Sequence, residues 1–229
     1  MISIIHPSRQ RSTKALYTAL RWLNNSSTEI EYILSLDEDD PQLSWYTEIF
    51  FDKKDIKILI SENKSAVDAI NKAAKISKGD ILIVVSDDFE CLPNWDKQII
   101  NLTYGKTDWI AKTFDGIQDW IITLPLMDRV YYNRFGYIYF PEYLHLFCDT
   151  EMTCVADMLG KRLDLKLSFP HNHYSKLGSL KDAISEKVDA THSQGEKLFL
   201  ERAKHNFDLQ GELLPIKNQG YLNWIKMKR

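Results

Sequence analysis

Glycine is scarce and scattered in this chain. Its nine glycines stand singly, so neither a G-x-G-x-x-G turn nor a G-x-x-x-x-G-K-[ST] loop can be assembled from them. A dinucleotide-binding site of the usual kind and a P-loop are thereby excluded. Any phosphate bound here must be met by basic side chains or a metal ion. Basic excess is also missing: 29 Lys and Arg face 32 Asp and Glu, a formal net charge of -3. No global positive field is present to hold nucleic acid through its phosphates, and none is expected as a partner. Three cysteines, Cys91, Cys148 and Cys154, do not make a disulfide framework and read as reduced thiols. No apolar run reaches 18 residues, and Met1 to Pro7 lacks the basic start and long apolar stretch of a secretory signal. The expectation is a cytoplasmic protein without a transmembrane segment, though peripheral contact with a membrane remains compatible with it. Internal repeats and low-complexity tracts are absent as well.

What is present is a chain of 229 residues, 44% hydrophobic, with ample material for a buried core. Ile2 to Ile5 reads as a buried strand that stops at His6-Pro7, followed by a helix from Ser12 with Leu16, Leu20 and Leu23 at helical spacing. Glu31 to Leu36 and Ile56 to Ile60 read as further strands. Ser65 is placed to cap a helix that buries Ala66, Ile70 and Ala73, with Gly79 at its C-terminal turn. Ile81 to Val85 is apolar throughout, as in a strand covered on both faces. Strands alternating with amphipathic helices predict an α/β fold: a mostly parallel central sheet with helices on both faces. Ligands in such sheets bind at the carboxyl ends of the strands. The polar clusters Pro7 to Arg11, Asp37 to Asp40 and Ser86 to Glu90 all fall there, which argues for one shared site. The second half is less regular. Aromatic residues fill Tyr131 to Tyr143, a helix is predicted from Thr150 to Leu159, and Leu163 to Phe169 alternates as a half-buried strand leading to His171-Asn-His173. A last helix carries Phe199, Leu200, Ala203 and Phe207, and the tail from Tyr221 to Arg229 is basic and aromatic.

Paired carboxylates at the end of a buried strand raise each other's pKa or recruit a cation, so Asp87 and Asp88 read either as a magnesium or manganese site or as a solvated acidic turn. Asp37 to Pro41 resembles a calcium loop only superficially, because its sixth position is Gln42 and a strand precedes it. One of His171 and His173 is favoured as a metal ligand over both, since a turn after the strand splays the rings. A zinc site from Cys148, Cys154, His171 and His173 fits no usual spacing. Asp149 reads as an N-cap, with a catalytic role not exclusive of it, and Arg9 and Arg11 either as surface charges or as diphosphate contacts.

The order of these motifs resembles the family 2-like glycosyltransferases of the GT-A fold, a Rossmann-like nucleotide-diphospho-sugar transferase architecture. The resemblance is carried by Ile2 to Arg11 (ISIIHPSRQR), Ile33 to Asp37 (ILSLD), Ala69 to Ala73 (AINKA), Gly79 to Asp88 (GDILIVVSDD), Phe147 to Glu151 (FCDTE) and His171 to His173. It spans residues 1 to 173 and is most specific from Ala69 to Asp88. It implies one domain over 1–229: a nucleotide-sugar-binding half (1–100), an acceptor and catalytic half (101–175) and a C-terminal helical segment (176–229). By similarity Pro7 and Arg9 line the nucleotide pocket, Asp37 accepts from the base, and Asn63 or Lys64 approaches base or diphosphate. Asp87 lies near the ribose. Asp88 binds Mn2+ or Mg2+ with His171 or His173, and Asp149 is the general base. Two departures stand out: Ser-Asp-Asp replaces Asp-x-Asp, and Cys148 replaces the acid expected before Asp149, leaving Glu151 as the other candidate base. The implied reaction is inverting transfer from a nucleoside-diphosphate sugar, UDP-linked, to a glycan or other acceptor hydroxyl. A metal-dependent nucleotidyltransferase and a nucleotide-sugar-binding protein without turnover are the alternatives.

Overall fold

A computed structural model describes residues 1–118, 120–172 and 183–217. A seven-stranded sheet in the order β3-β2-β1-β4-β6-β5-β7 organises them. Its strands are β1 (Ile2–Ser8), β2 (Ile30–Asp37), β3 (Ile56–Ser61), β4 (Ile81–Val84), β5 (Ile110–Phe114), β6 (Leu126–Asp128) and β7 (Arg162–Ser168). β6 alone is antiparallel to its neighbours, so the other six strands run in one direction and end on one edge. The mostly parallel sheet expected from the alternation is therefore present.

Period-2 alternation sorts the strand residues between two cores. Ile2 and Ile4 of β1, Tyr32, Leu34 and Leu36 of β2, and Ile83 of β4 face one side, packed with α1 (Ser12–Asn24), α2 (Leu43–Ile49) and α4 (Trp95–Thr103). Ile5, Ile33, Leu82 and Val84 face the other, against α3 (Ala66–Ile76), α5 (Arg129–Asn133), α6 (Cys148–Met158) and a helix near the C-terminus. Helices thus cover both faces.

Several boundaries differ from the sequence expectation. β1 does not stop at His6-Pro7 but pairs with β2 as far as Ser8 opposite Leu36. Its pairing with β4 ends at Ile5, so Pro7 sits where the β4 side asks for no N–H. Gly79 lies beyond the Ser77 C-cap of α3, and its requirement is steric: a Cβ there would stand 2.5 Å from the Ser3 hydroxyl. Helices α2, α4 and α5 and strands β5 and β6 were not anticipated, being short and set among aromatic loops. The predicted last helix is α8 (His192–Lys204), which ends before Phe207 in a 3-10 turn, and an unanticipated α7 (Ala183–Ala190) precedes it. The Tyr221 to Arg229 tail lies outside the described residues.

Candidate active site

The common edge of the six codirectional strands collects the polar groups. At the end of β2, Asp37 accepts from Asn63 Nδ2 at 2.8 Å and from Arg9 Nη1 at 2.6 Å. Arg9 also pairs with Asp39, and these carboxylates hold the guanidinium firmly protonated. Arg9, Asp37 and Asn63, predicted on three separate segments, are therefore one connected group. Pro7 is half-buried beside them on β1. The Lys64 side chain is exposed, and its backbone N–H donates to Asp68.

Asp87 and Asp88 follow β4 but face different surroundings. The Asp87 carboxylate is only 4% exposed and accepts from His6 Nε2 at 2.9 Å and Ser8 Oγ at 2.9 and 3.0 Å. Asp88 reaches outward, taking a hydrogen bond from Ser86 and lying 3.1 Å from His171 Nε2. Burial pushes the Asp88 carboxyl up, yet His171, Ser86 and the nearby charge of Arg11 outweigh it and hold it well below the usual carboxylate range. His171 arrives there because the segment after β7 pairs with the segment after β4: Phe89 bridges His171, Asn172 N donates to the Asp88 carbonyl, and the Phe89 and His171 rings stack 4.3 Å apart. His173 lies outside the described residues.

Asp149 enters from the other half. The N-cap reading fails: α6 begins at Cys148, its N-cap is Phe147 in the left-handed region (φ 72°), and Asp149 sits inside the first turn. Its carboxylate accepts from the N–H of Thr150 at 2.7 Å. Burial raises the Asp149 carboxyl above the ordinary range, with the Thr150 hydrogen bonds opposing. Glu151 is turned into the core instead. It is 4% exposed, accepts from Tyr143 Oη at 2.8 Å, and is clasped by Arg202 Nε and Nη2 at 2.8 to 3.0 Å. Arg202 in turn lies over the Phe140 ring. Both Glu151 oxygens are occupied, and burial pushes its carboxyl above the ordinary range with Arg202 and Tyr143 opposing. The Cys148 thiol is buried and pushed far up, so it stays protonated and brings no negative charge to the position of the missing carboxylate.

Several residues at this edge were not singled out in the sequence. His6 and Ser8 grip Asp87, and the alternation Ile2, Ile4, His6, Ser8 was the available signal. Asp115, at the end of β5, accepts from the N–H groups of Ile117 and Gln118 and from Thr123 Oγ1, while its carbonyl accepts from the His171 N–H. Its place at a strand end before Gly116 marked a turn but no partner. His145 lies in the loop before α6, where burial and Arg11 lower its pKa and Asp88 opposes them. This connects the approach to Asp149 with the Asp88 neighbourhood. Gly195 of α8 lets that helix press on the same loop, for a Cβ would stand 2.4 Å from the Leu146 carbonyl oxygen. Among the described residues no group of three or more His, Cys, Asp and Glu is disposed around a metal position, and Cys148 and Cys154 are free thiols. No helix among them is long and apolar enough to cross a membrane.

The sheet gathers its acidic strand ends on a single edge of a mostly parallel α/β architecture. The model of glycosyl transferase family 2 matches residues 3–160, and the chain belongs to that family. It is accordingly a glycosyltransferase, which sets the nucleotidyltransferase and non-enzymatic readings aside. No curated protein sequence matches it. Among solved structures it is similar to the mannosyltransferase PcManGT from Pyrobaculum calidifontis, in complex with GDP-Man and Mn2+, with a TM-score of 0.58 at 10% identity over 99% of this chain and 83% of that one. TarS of S. aureus gives a TM-score of 0.64 at 12% identity, covering 99% of this chain but only 42% of TarS. Glucosyl-3-phosphoglycerate synthase from Mycobacterium tuberculosis, in complex with Mn2+, UDP and glucosyl-3-phosphoglycerate, gives 0.56 at 12% identity over 85% and 79% of the two chains. At such identities the likeness bears on the fold.

Proposed function

We propose that this chain is an inverting, divalent-metal-dependent glycosyltransferase that moves a sugar from a UDP-linked donor to an acceptor hydroxyl, with Asp149 as general base. The observation that carries the reading is the pairing of Asp88 with His171. Asp88, after β4, and His171 stand 3.1 Å apart, and this carboxylate and imidazole are the residues that would hold a divalent ion. A carboxylate and an imidazole suit manganese, and magnesium also binds through few protein ligands while phosphate oxygens and water fill the rest. When bound, the ion would neutralise charge on the departing diphosphate. The mixed UDP and GDP-Man chemistry of the similar structures leaves the base open to test, and Asp37, with Asn63 and Arg9, is the recognition group proposed for it.

The remaining steps belong to the chain's own residues. Pro7, Arg9, Asp37, Asn63 and Lys64 would surround the nucleotide, with Asp87 beneath the ribose. Asp149, its pKa raised by burial, is a better proton acceptor near neutral pH than an ordinary carboxylate. Inversion requires it to act from the face of the sugar opposite the leaving group. In this reading residues 1–100 form the donor half and 101–175 the acceptor half, and 176–229 form a C-terminal segment whose α8 buttresses the catalytic loop. Thermal shift across UDP- and GDP-sugars, with and without Mn2+ or Mg2+, tests the donor. Release of nucleoside diphosphate with an inverted anomeric product tests the reaction. Metal-independent turnover, or a product with retained configuration, would overturn the proposal.

A further inference from the structure

His6 is the one imidazole inserted into the apolar column of β1. Ile2 and Ile4 precede it on the same face, its side chain is 0% exposed, and no substrate can reach it. Burying such a ring is costly unless both nitrogens are satisfied. Here Nδ1 lies 2.7 Å from Tyr32 Oη and Nε2 lies 2.9 Å from Asp87 Oδ1. The ionised Asp87 carboxylate can only accept, so the ring carries a proton on Nε2 aimed at it, while the Tyr32 hydroxyl, kept protonated by burial, holds the Nδ1 side.

A second arm reaches Asp87 in the same sense. The Arg11 N–H donates to Tyr46 Oη at 3.0 Å, and Tyr46, whose pKa burial raises to about 12, donates to Ser8 Oγ at 2.7 Å. Ser8 Oγ in turn donates its hydrogen bond to the carboxylate. Thr18 Oγ1 donates to the Asp87 carbonyl at 2.9 Å. Every donor in the network points at Asp87, tying β1, β2, α1 and α2 to the residue immediately before the outward-facing Asp88. With 4% of its side chain exposed, Asp87 offers the donor little surface of its own, so its larger effect is on the backbone it anchors.

We infer that His6, oriented by Tyr32, is a positioning residue that fixes the Asp87-Asp88 loop in the geometry that receives the donor and its metal. The inference rests on the donor-site reading of Asp88. It demands no movement: the strand ends are locked before the donor arrives, so donor binding does not have to order them.

The test is donor affinity in the full chain. Calorimetry with UDP and Mn2+, and steady-state donor and acceptor KM, are compared for wild type, Tyr32→Phe, His6→Leu and His6→Gln, with melting followed in parallel. His6→Leu is expected to weaken UDP with Mn2+ by about tenfold or more, the scale of one lost charge-assisted hydrogen bond, and to raise donor KM while acceptor KM stays put. His6→Gln retains an N–H directed at Asp87 and is expected to recover most of the affinity. Tyr32→Phe keeps the ring in the core, guards against a His6→Leu chain that does not fold, and is expected to raise donor KM severalfold. A merely structural histidine would lower melting and the active fraction without separating the two KM values. Wild-type donor KM in folded His6→Leu or in Tyr32→Phe, or equal losses in Gln and Leu, would overturn the inference. Failure of wild type itself to bind any nucleoside diphosphate would instead remove the donor-site reading on which it stands.

Discussion

The proposed donor edge and the proposed base differ in how each carboxylate is dressed. Asp37 receives Asn63 and Arg9, Asp40 receives the N–H groups of Gln10 and Gln42, Asp87 receives His6 and Ser8, and Asp88 receives Ser86 beside His171. Asp149 accepts from Thr150. Asp88 is driven below the ordinary range and Asp149 above it. Donor-rich surroundings stabilise a charge that stays in place, as a metal ligand requires, whereas a poorly solvated carboxylate wants a proton, as a base requires.

The largest effect should come from the base. Asp149→Asn is expected to lower transfer by ~10²–10⁴-fold with UDP and Mn2+ affinity retained, measured by initial rates and calorimetry. Near-normal transfer would erase the contrast between the two sides. The wild-type rate should carry an acid limb whose midpoint lies above the ordinary carboxylate range, because only the ionised group accepts a proton, and that limb should vanish in Asp149→Asn. The sign for stability is opposite. A folded carboxyl with a raised pKa binds its proton more tightly than the unfolded one, so its contribution is full below the unfolded pKa and is lost as pH rises through the folded value. Melting of wild type and Asp149→Asn across that window should converge at its acid end.

Next in size is the core pair that supports the catalytic loop. Arg202→Met leaves Glu151 buried and unpaired, and should cost about 3–5 kcal/mol by denaturant unfolding, with Arg202→Met/Glu151→Met recovering part of it. Equal stability in the single variant would mean that Glu151 reaches solvent and returns as a candidate base. Asp88→Ala follows, with Mn2+-dependent UDP binding expected to weaken by at least about 10–100-fold while the unfolding transition is kept. The smallest effect is the sharpening control: Lys204→Ala breaks an exposed pair with Glu201 on α8 and should change stability by less than about 0.5 kcal/mol and transfer not at all.

Local pattern carried much of the donor half. Buried β-branched runs, helical spacing and the placement of Pro7, Arg9, Asp37, Asn63, Asp87 and Asp88 at strand ends are legible in the chain because period and propensity act over a few residues. Short β5 and β6 were not legible, since three to five residues among aromatic loops show no period. Nor was the opposite fate of Asp149 and Glu151, two positions apart on α6: one accepts from its neighbour Thr150, while the other meets Arg202, 51 residues away.

By itself, then, the sequence determined an α/β domain whose acidic strand ends share one edge, because alternation and strand polarity follow from local chemistry, and its motifs resembled the family that the match over residues 3–160 shows. Only the tertiary structure decided that His171 stands beside Asp88, that His6 and Ser8 bind Asp87 from below, and that Arg202 removes Glu151 from the surface. Those pairings join residues 51 to 83 positions apart in the chain, and charge partners at such distances are chosen by how sheets and helices pack, which no local pattern encodes.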